Sequence, residues 1–216
     1  IGLLLPSIYM SVKNRKRIFA PKELMLDLGN ELVRRGHTVY VYGAPGTQTK
    51  ATLVEGDPFL INQSLYSPKF SSYKIIVQKS FSSFQTKREY ELELTLKAYL
   101  HAKTHDVQIM HSYHDFFAHY FSKLSPIPTV YTLHDPSPKT VHFEYWRYKH
   151  FFSDNYVFIS ESQKKHYGRL IKQGTVIHHG VNLDKFPFDS HGGEEFAYIG
   201  RFAKEKGVLQ AIQVAK

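Results

Sequence analysis

Two cations near residue 200 are spaced to hold a diphosphate group. Arg201 follows a predicted strand that ends at Gly200, and Lys206 stands with Gly207 at the start of a predicted helix. Backbone N–H groups at a helix start, the positive end of the helix dipole and two cationic side chains all favour negatively charged oxygens. The spacing therefore predicts a diphosphate-binding site at Arg201 and Lys206. The alternative is that both side chains are solvated in an ordinary turn.

A histidine and an aspartate form a second candidate site. His134 and Asp135 directly follow the apolar run Thr129–Leu133, which is typical of a buried strand. A titratable side chain at the end of such a strand can exchange a hydrogen bond or a proton with a bound ligand. The alternative is a strand-end histidine without a chemical role. Ser160, after a later strand, is interpreted first as a helix N-cap and second as a ligand contact.

A cluster of positive charge follows the first predicted strand. Lys13, Arg15, Lys16 and Arg17 place four cations within five residues. Like charges at this density repel one another unless an anion lies between them. Two interpretations of this segment therefore remain: an anion-binding loop and a solvated surface loop.

The residues His111, His114 and Asp115 have a spacing that resembles a set of metal ligands. They span the end of a predicted strand rather than one face of a helix. The chain also has 13 histidines, so that such spacings arise by chance. We therefore expect no metal site at these residues.

Strands and helices alternate along the chain, and each group of polar residues follows a strand. Strands alternating with helices of about ten residues indicate a doubly wound parallel α/β sheet, which we call Rossmann-like. Ligands of such sheets bind beyond the carboxyl ends of the strands, so the fold should gather these groups at one edge. The strands are predicted at Ile1–Leu5, Thr38–Tyr42, Thr52–Val54, Lys74–Val77, Val107–Met110, Pro128–Leu133, Tyr156–Ile159, Thr175–Ile177 and Phe196–Ile199. The helices are predicted from Pro21 to Arg35, at Lys87–Lys103, Asp115–Leu124 and Val141–Phe152, at Ser160–Ile171 with Ser160 and Gln163 as a capping box, and from Gly207 onward.

The composition limits the class of protein. The 216 residues contain no cysteine, which excludes disulfides, thiolate metal sites and cysteine nucleophiles. No apolar run approaches the roughly 20 residues that a membrane-spanning helix needs, so we expect a cytoplasmic protein. The formal net charge of +9 favours polyanionic partners, namely nucleic acid, anionic lipid or phosphorylated small molecules.

The distribution of proline and glycine predicts a domain boundary. Residues 183–195 carry Pro187, Gly192 and Gly193 and have the composition of a linker. We expect one Rossmann-like domain at residues 1–182. Residues 196–216 would then open a second domain whose remainder lies outside this sequence.

Several segments, in their order along the chain, resemble the family-four glycosyltransferases. Val176–Phe186 resembles the segment that closes the N-terminal domain of that family, and Phe196–Gly207 resembles the segment that opens its C-terminal domain. Three further segments fit the same order: Glu23–Val41, Tyr131–Asp135 and Val157–Glu161. The resemblance spans almost the whole chain, although residues 47–103 contribute little to it.

The resemblance implies a GT-B architecture, in which two Rossmann-like domains face each other across a cleft. It implies transfer of a hexosyl group from a UDP- or GDP-sugar to a carbohydrate, lipid or small-molecule acceptor, with retention of configuration and without metal or other cofactor. Arg201 and Lys206 would neutralise the leaving diphosphate, and His134 would be the catalytic residue that contacts the transferred sugar. The residues assigned to acceptor binding are Lys13, Arg15, Arg17, His111, His114, Asp135 and Ser160.

The sequence departs from the family pattern in two places. Residues 7–19 contain no glycine where the family commonly has a Gly-Gly loop, so the contacts of that loop are not carried over. The family's paired-glutamate donor motif would lie beyond Lys216, so we expect the acceptor half of an enzyme, inactive by itself. One alternative is a non-catalytic module bound to the inner face of a membrane through a basic aromatic surface at Lys139–Lys172. The other is a nucleic-acid-binding module, for which we find no recognition motif.

Overall fold

A computed structural model describes residues 1–10, 19–64, 74–113, 115–186 and 188–215. The strands are β1 (Gly2–Leu4), β2 (Tyr40–Gly43), β3 (Thr52–Glu55), β4 (Met110–Ser112), β5 (Thr129–Leu133), β6 (Asn155–Phe158) and β7 (Thr175–Val176). The helices are α1 (Ala20–Arg34), α2 (Pro58–Ser64), α3 (Lys74–Thr104), α4 (Asp115–Ser122), α5 (Phe143–His150), α6 (Glu161–Tyr167) and α7 (Val208–Val214). The strands form one sheet in the order β3-β2-β1-β4-β5-β6-β7, and every pairing is parallel. The predicted doubly wound parallel α/β sheet is confirmed.

Helices cover the sheet on both faces. On one face, α1 lies close to Leu3, because a Cβ built at Gly29 would come within 3.0 Å of the Leu3 side chain. Leu3 is paired with His111 of β4, and His111 is paired with Val130 of β5, so these residues share the face that α1 covers. The next residue of β5, Tyr131, therefore points to the opposite face. There the Tyr131 ring stacks on His119 of α4, with ring centroids 4.1 Å apart. The strands are thus buried from both sides, which explains their continuous apolar runs.

Three segments between residues 47 and 112 differ from the sequence-based prediction. Lys74–Val77 is the first turn of α3 rather than a strand, and β4 begins at Met110, later than predicted. The seven-residue helix α2 was not predicted. Hydrophobic periodicity cannot distinguish a helix from a strand in an apolar run of only four residues. In the structure, Lys74–Val77 continues into the 31-residue helix α3.

The predicted strand at Phe196–Ile199 is wrong. No strand within the described residues pairs with it, and Ile199 is 98% exposed. A strand depends on hydrogen bonds to a neighbouring strand, so an apolar run without a partner remains irregular. The following turn, Lys204–Lys206, and the helix α7 are present.

The chain divides into two compact units. The first, Ile1–Val181, contains the whole sheet, and the second, Asn182–Lys216, contains short helical segments. The assignment of residues 196–216 to the opening of a second domain stays a prediction. Among the described residues, no helix combines the length and the apolar character that crossing a bilayer requires.

An ion cluster around a buried carboxylate connects the end of α4 to the start of β6. His119 is fully buried, and its Nδ1 lies 2.8 Å from a carboxylate oxygen of Asp154. Lys123 donates to the other oxygen of the same carboxylate. Burial by itself would raise the pKa of Asp154, but the hydrogen bonds from His119 and Lys123 outweigh it and hold that pKa below its ordinary value. The cluster therefore stabilises the folded chain while Asp154 is ionised.

We expect Asp154→Asn to lower the free energy of unfolding at pH 7 by about 1–3 kcal/mol, because a buried imidazole and an ammonium lose their charged partner. The pKa of Asp154 is depressed on folding, so the contribution is complete above the unfolded value near 3.8 and disappears as the pH falls through the folded value. The difference between the urea unfolding curves of the two proteins should thus begin to shrink below a pH of about 4. Glu89→Gln, at an exposed carboxylate of α3, is the control and should change the free energy by less than about 0.5 kcal/mol. A difference in the free energy of unfolding between the two proteins that stays constant down to pH 3 would contradict the role of Asp154.

Candidate functional site

A row of aromatic rings lies at the carboxyl edge of the sheet. His111 is in β4, Tyr113 follows β4, His134 follows β5, and His179 follows β7. The ring centroids are 4.6 Å apart for His111 and Tyr113, 5.2 Å for Tyr113 and His134, and 5.2 Å for His134 and His179. The last two pairs are stacked, with interplanar angles of 23° and 14°. We call these four residues the ring row.

The ring row places two predicted site residues together and adds two that the sequence analysis missed. His111 and His134 were predicted as site residues because each lies at the end of a strand. Tyr113 stands between them, and His179 covers the other face of His134. The only sequence signal for His179 was its place in a polar segment after a strand. The parallel sheet brings these rings together because its strands all end at the same edge.

Three members of the ring row are neutral near pH 7. Burial lowers the pKa of His111 to about 4, and its Nε2 lies 2.7 Å from the hydroxyl of Thr132. Burial also lowers the pKa of His179 and raises the pKa of Tyr113 to about 12. Neutral imidazole and phenol groups each offer a hydrogen-bond donor and an acceptor beside a flat ring face. Such a surface suits an uncharged, polar ligand better than an ionic one.

The turn that carries His134 is held by one amide side chain. Nε2 of Gln163 donates to the carbonyl oxygens of Leu133 and Asp135, both at 3.0 Å. Oε1 of Gln163 accepts the backbone N–H of Ile159 at 2.8 Å. The two carbonyl groups that flank His134 are thus fixed to the first turn of α6. This leaves the His134 side chain on a backbone that cannot easily rotate.

Ser160 is the N-cap of α6, as predicted. Its hydroxyl accepts the backbone N–H of Gln163 at 3.1 Å. The return bond differs from a capping box, because Gln163 accepts from Ile159 rather than from Ser160. The additional contact of Ser160 with a ligand stays a prediction. The carboxylate of Asp135 is exposed at the same edge of the sheet.

The other candidates from the first unit lie outside the described residues. They are Lys13, Arg15, Arg17 and His114. Their assignment to acceptor binding therefore stays a prediction. Among the residues that the structure describes, no three histidine, aspartate or glutamate side chains converge as a metal site would require.

Arg201 and Lys206 lie in the second unit, on a loop held by one tyrosine. The hydroxyl of Tyr198 lies 3.2 Å from the carbonyl oxygens of both Arg201 and Lys206 and can donate to either. Gly207 has φ of +70°, a conformation that favours glycine, and turns the chain from the Lys206 end of the loop into α7. Both cationic side chains are exposed, and the guanidinium of Arg201 lies 3.7 Å from the carboxylate of Glu205. The loop thus presents two cations to solvent from a fixed backbone.

The chain matches the profile of one protein family. That family is described as Glycosyltransferase Family 4, and the match covers residues 23–185, three quarters of the chain. The matched region contains the whole ring row and Gln163, whereas Arg201 and Lys206 lie outside it. No curated protein matches the chain.

Proposed function

Because the chain belongs to glycosyltransferase family 4, we propose that it transfers a hexosyl group from a nucleotide sugar to an acceptor with retention of configuration. Family membership makes sugar transfer the class of its reaction, with a sugar donor and an acceptor as partners. The donor nucleotide, the hexose and the retention of configuration are the finer parts of the proposal. The ring row at the carboxyl edge of the sheet is the observation that supports it most directly.

The acceptor and the transferred sugar are proposed to bind at the ring row. His134 would contact the transferred sugar, since it lies between two rings at the end of β5 and its backbone is held by Gln163. The neutral rings would accommodate a carbohydrate, lipid-linked or small-molecule acceptor. The residues proposed to complete the acceptor site are Lys13, Arg15, Arg17, His111, His114, Asp135 and Ser160.

The diphosphate of a UDP- or GDP-sugar is proposed to bind at Arg201 and Lys206. During transfer the bond between the anomeric carbon and the diphosphate oxygen breaks, and the acceptor oxygen bonds to the same carbon and loses its proton. Negative charge therefore grows on the leaving diphosphate. Two exposed cations on a fixed loop can stabilise that charge as it develops.

The reaction is proposed to take place in the cytoplasm, close to an anionic membrane. A chain without cysteine gains nothing from an oxidising compartment. Its net charge of +9 attracts anionic surfaces. We do not favour a module without catalysis, since the match covers three quarters of the chain and comes from a transferase family.

The proposal is tested by incubating the intact protein with a panel of UDP- and GDP-hexoses and candidate acceptors. We expect release of nucleoside diphosphate from one donor and formation of a glycoside. Proton NMR of that product should show the anomeric configuration of the donor. A glycoside of opposite configuration would disprove retention alone, whereas a protein that consumes no donor in the panel would contradict the proposed reaction.

A further inference from the structure

A continuous series of aromatic rings crosses the outer surface of α4 and α5. The Tyr120 ring packs on Phe151 at 5.2 Å, Phe151 on His150 at 4.8 Å, His150 on Trp146 at 5.1 Å, and Trp146 on Phe143 at 5.9 Å. We call these five residues the aromatic ladder. Phe151 is buried and connects the two helices, while the other four rings are exposed.

Apart from Phe151, the aromatic ladder does not belong to the core. Phe143 is 68% exposed and Trp146 is 50% exposed, whereas Arg147 and Tyr148 on the same helix are buried. Positions 143, 146 and 150 recur at helical spacing and form one stripe, so α5 has both a packed face and an aromatic outer face. Three more exposed apolar side chains belong to the same helices or to their ends: Leu124, Val141 and Phe152. Globular proteins rarely leave contiguous apolar surface of this kind without a partner.

The charge around the aromatic ladder is mostly positive. Lys139 and Lys149 are exposed, and the ammonium of Lys123 lies 5.6 Å from the centre of the Phe151 ring. The neighbouring carboxylates in the chain are Glu144 of α5 and Asp154, and Asp154 is already bound to His119 and Lys123. Aromatic rings flanked by lysines are the combination that suits the headgroup region of a bilayer, where rings enter the interface and ammonium groups reach phosphates. The positive sign favours anionic lipid over neutral lipid.

We propose that the aromatic ladder docks the protein on an anionic phospholipid bilayer. Phe143 and Trp146 enter the headgroup layer, and Lys139 and Lys149 contact lipid phosphates. A helix of eight residues has too little apolar surface to bind by insertion alone, so docking requires both the rings and the charges. The attachment is therefore reversible and weakens as salt screens the charges.

The single tryptophan of the chain makes this docking directly observable. Trp146 is the only tryptophan, so its fluorescence reports from the aromatic ladder and from nowhere else. With vesicles of equal parts phosphatidylglycerol and phosphatidylcholine at low salt, we expect the protein to sediment with the vesicles and its emission to shift to the blue. Pure phosphatidylcholine vesicles should produce neither change. Salt of about 0.5 M should release the protein, because it shortens the screening length well below about 10 Å.

Matched variants distinguish a defined surface from general attraction by charge. Phe143→Ser should weaken vesicle binding by about tenfold or more, because a ring that leaves water on docking is lost. Phe59→Ser in α2 is the control, since Phe59 is equally exposed at 66% and lies outside the aromatic ladder. Lys149→Glu should also weaken binding more than Lys50→Glu, which changes an exposed lysine before β3. Circular dichroism should show that all four variants are folded.

Three results would overturn the proposal. Equal losses in each variant and its control would indicate diffuse attraction, and sedimentation without a blue shift would indicate another surface. A dimer of the free protein that Phe143→Ser dissociates would assign the aromatic ladder to a second copy of the chain. None of these measurements uses a sugar donor or an acceptor, so a result against membrane docking would leave the proposed sugar transfer unaffected.

Discussion

Replacing His134 by alanine is expected to lower kcat of the intact enzyme by roughly tenfold to a thousandfold, the range for a positioned side chain at a reacting centre. The ring is stacked between Tyr113 and His179, and Gln163 fixes the carbonyl groups on either side of it. A contact that improves in the transition state changes kcat more than it changes binding. Affinity for UDP or GDP should stay the same, since we assign the diphosphate to Arg201 and Lys206.

The measurement combines initial rates with calorimetric titration of the nucleoside diphosphate. Circular dichroism should confirm that His134→Ala is folded. His37→Ala is the control, because His37 is an exposed histidine before β2, at the amino edge of the sheet, whereas the ring row lies at the carboxyl edge. A folded His134→Ala enzyme with wild-type kcat would show that His134 is a structural histidine at the end of a strand.

Arg201→Ala and Lys206→Ala are each expected to remove about 2–4 kcal/mol of transition-state stabilisation, comparable to the loss of one oxyanion donor. This corresponds to a fall in kcat/KM of about 30-fold to 1000-fold. Both side chains are exposed, so truncation should leave folding unchanged. The backbone of the loop should also persist, because Tyr198 holds it through carbonyl oxygens rather than through the two side chains.

The loop offers its own control for this experiment. Lys204 lies in the same short helical turn as Lys206 and is also exposed, so Lys204→Ala removes one positive charge at nearly the same place. We expect Lys204→Ala to change kcat/KM by less than threefold, which is about 0.6 kcal/mol. If all three variants lost activity equally, net charge rather than a diphosphate site would explain the effect. Wild-type kcat/KM in Arg201→Ala and Lys206→Ala would exclude both residues from the diphosphate site.

The sheet could be predicted from the sequence because its strands are buried on both faces. Such strands are continuous apolar runs, and two of the helices between them, α1 and α3, repeat leucine at every fourth position, as Leu92, Leu96 and Leu100 do in α3. The prediction was wrong where a run was too short to show its period, as at Lys74–Val77. It was also wrong where an apolar run had no neighbouring strand among the described residues, as at Phe196–Ile199.

The candidate site could be predicted only in part, because stacking depends on the lateral order of the strands. His111 and His134 were recognised from their place at strand ends. Tyr113 and His179 were not, since sequence spacing does not say that residues after β4 and β7 meet at β5. Gln163 was recognised as part of a helix start, but its contacts with the turn after β5 join positions 30 residues apart.

The central position of β1 has a consequence for synthesis on the ribosome. β1 pairs with β2 on one side and with β4 on the other, so that Gly2 is a neighbour of Met110. At about 5–20 residues per second, translation reaches β4 roughly 5 to 20 s after β1. Throughout that interval the nascent chain carries an apolar strand with at least one unpaired edge, which invites association with other chains. The nascent chain in which β4 has not yet paired with β1 is therefore the stage that offers a chaperone the most unpaired apolar strand.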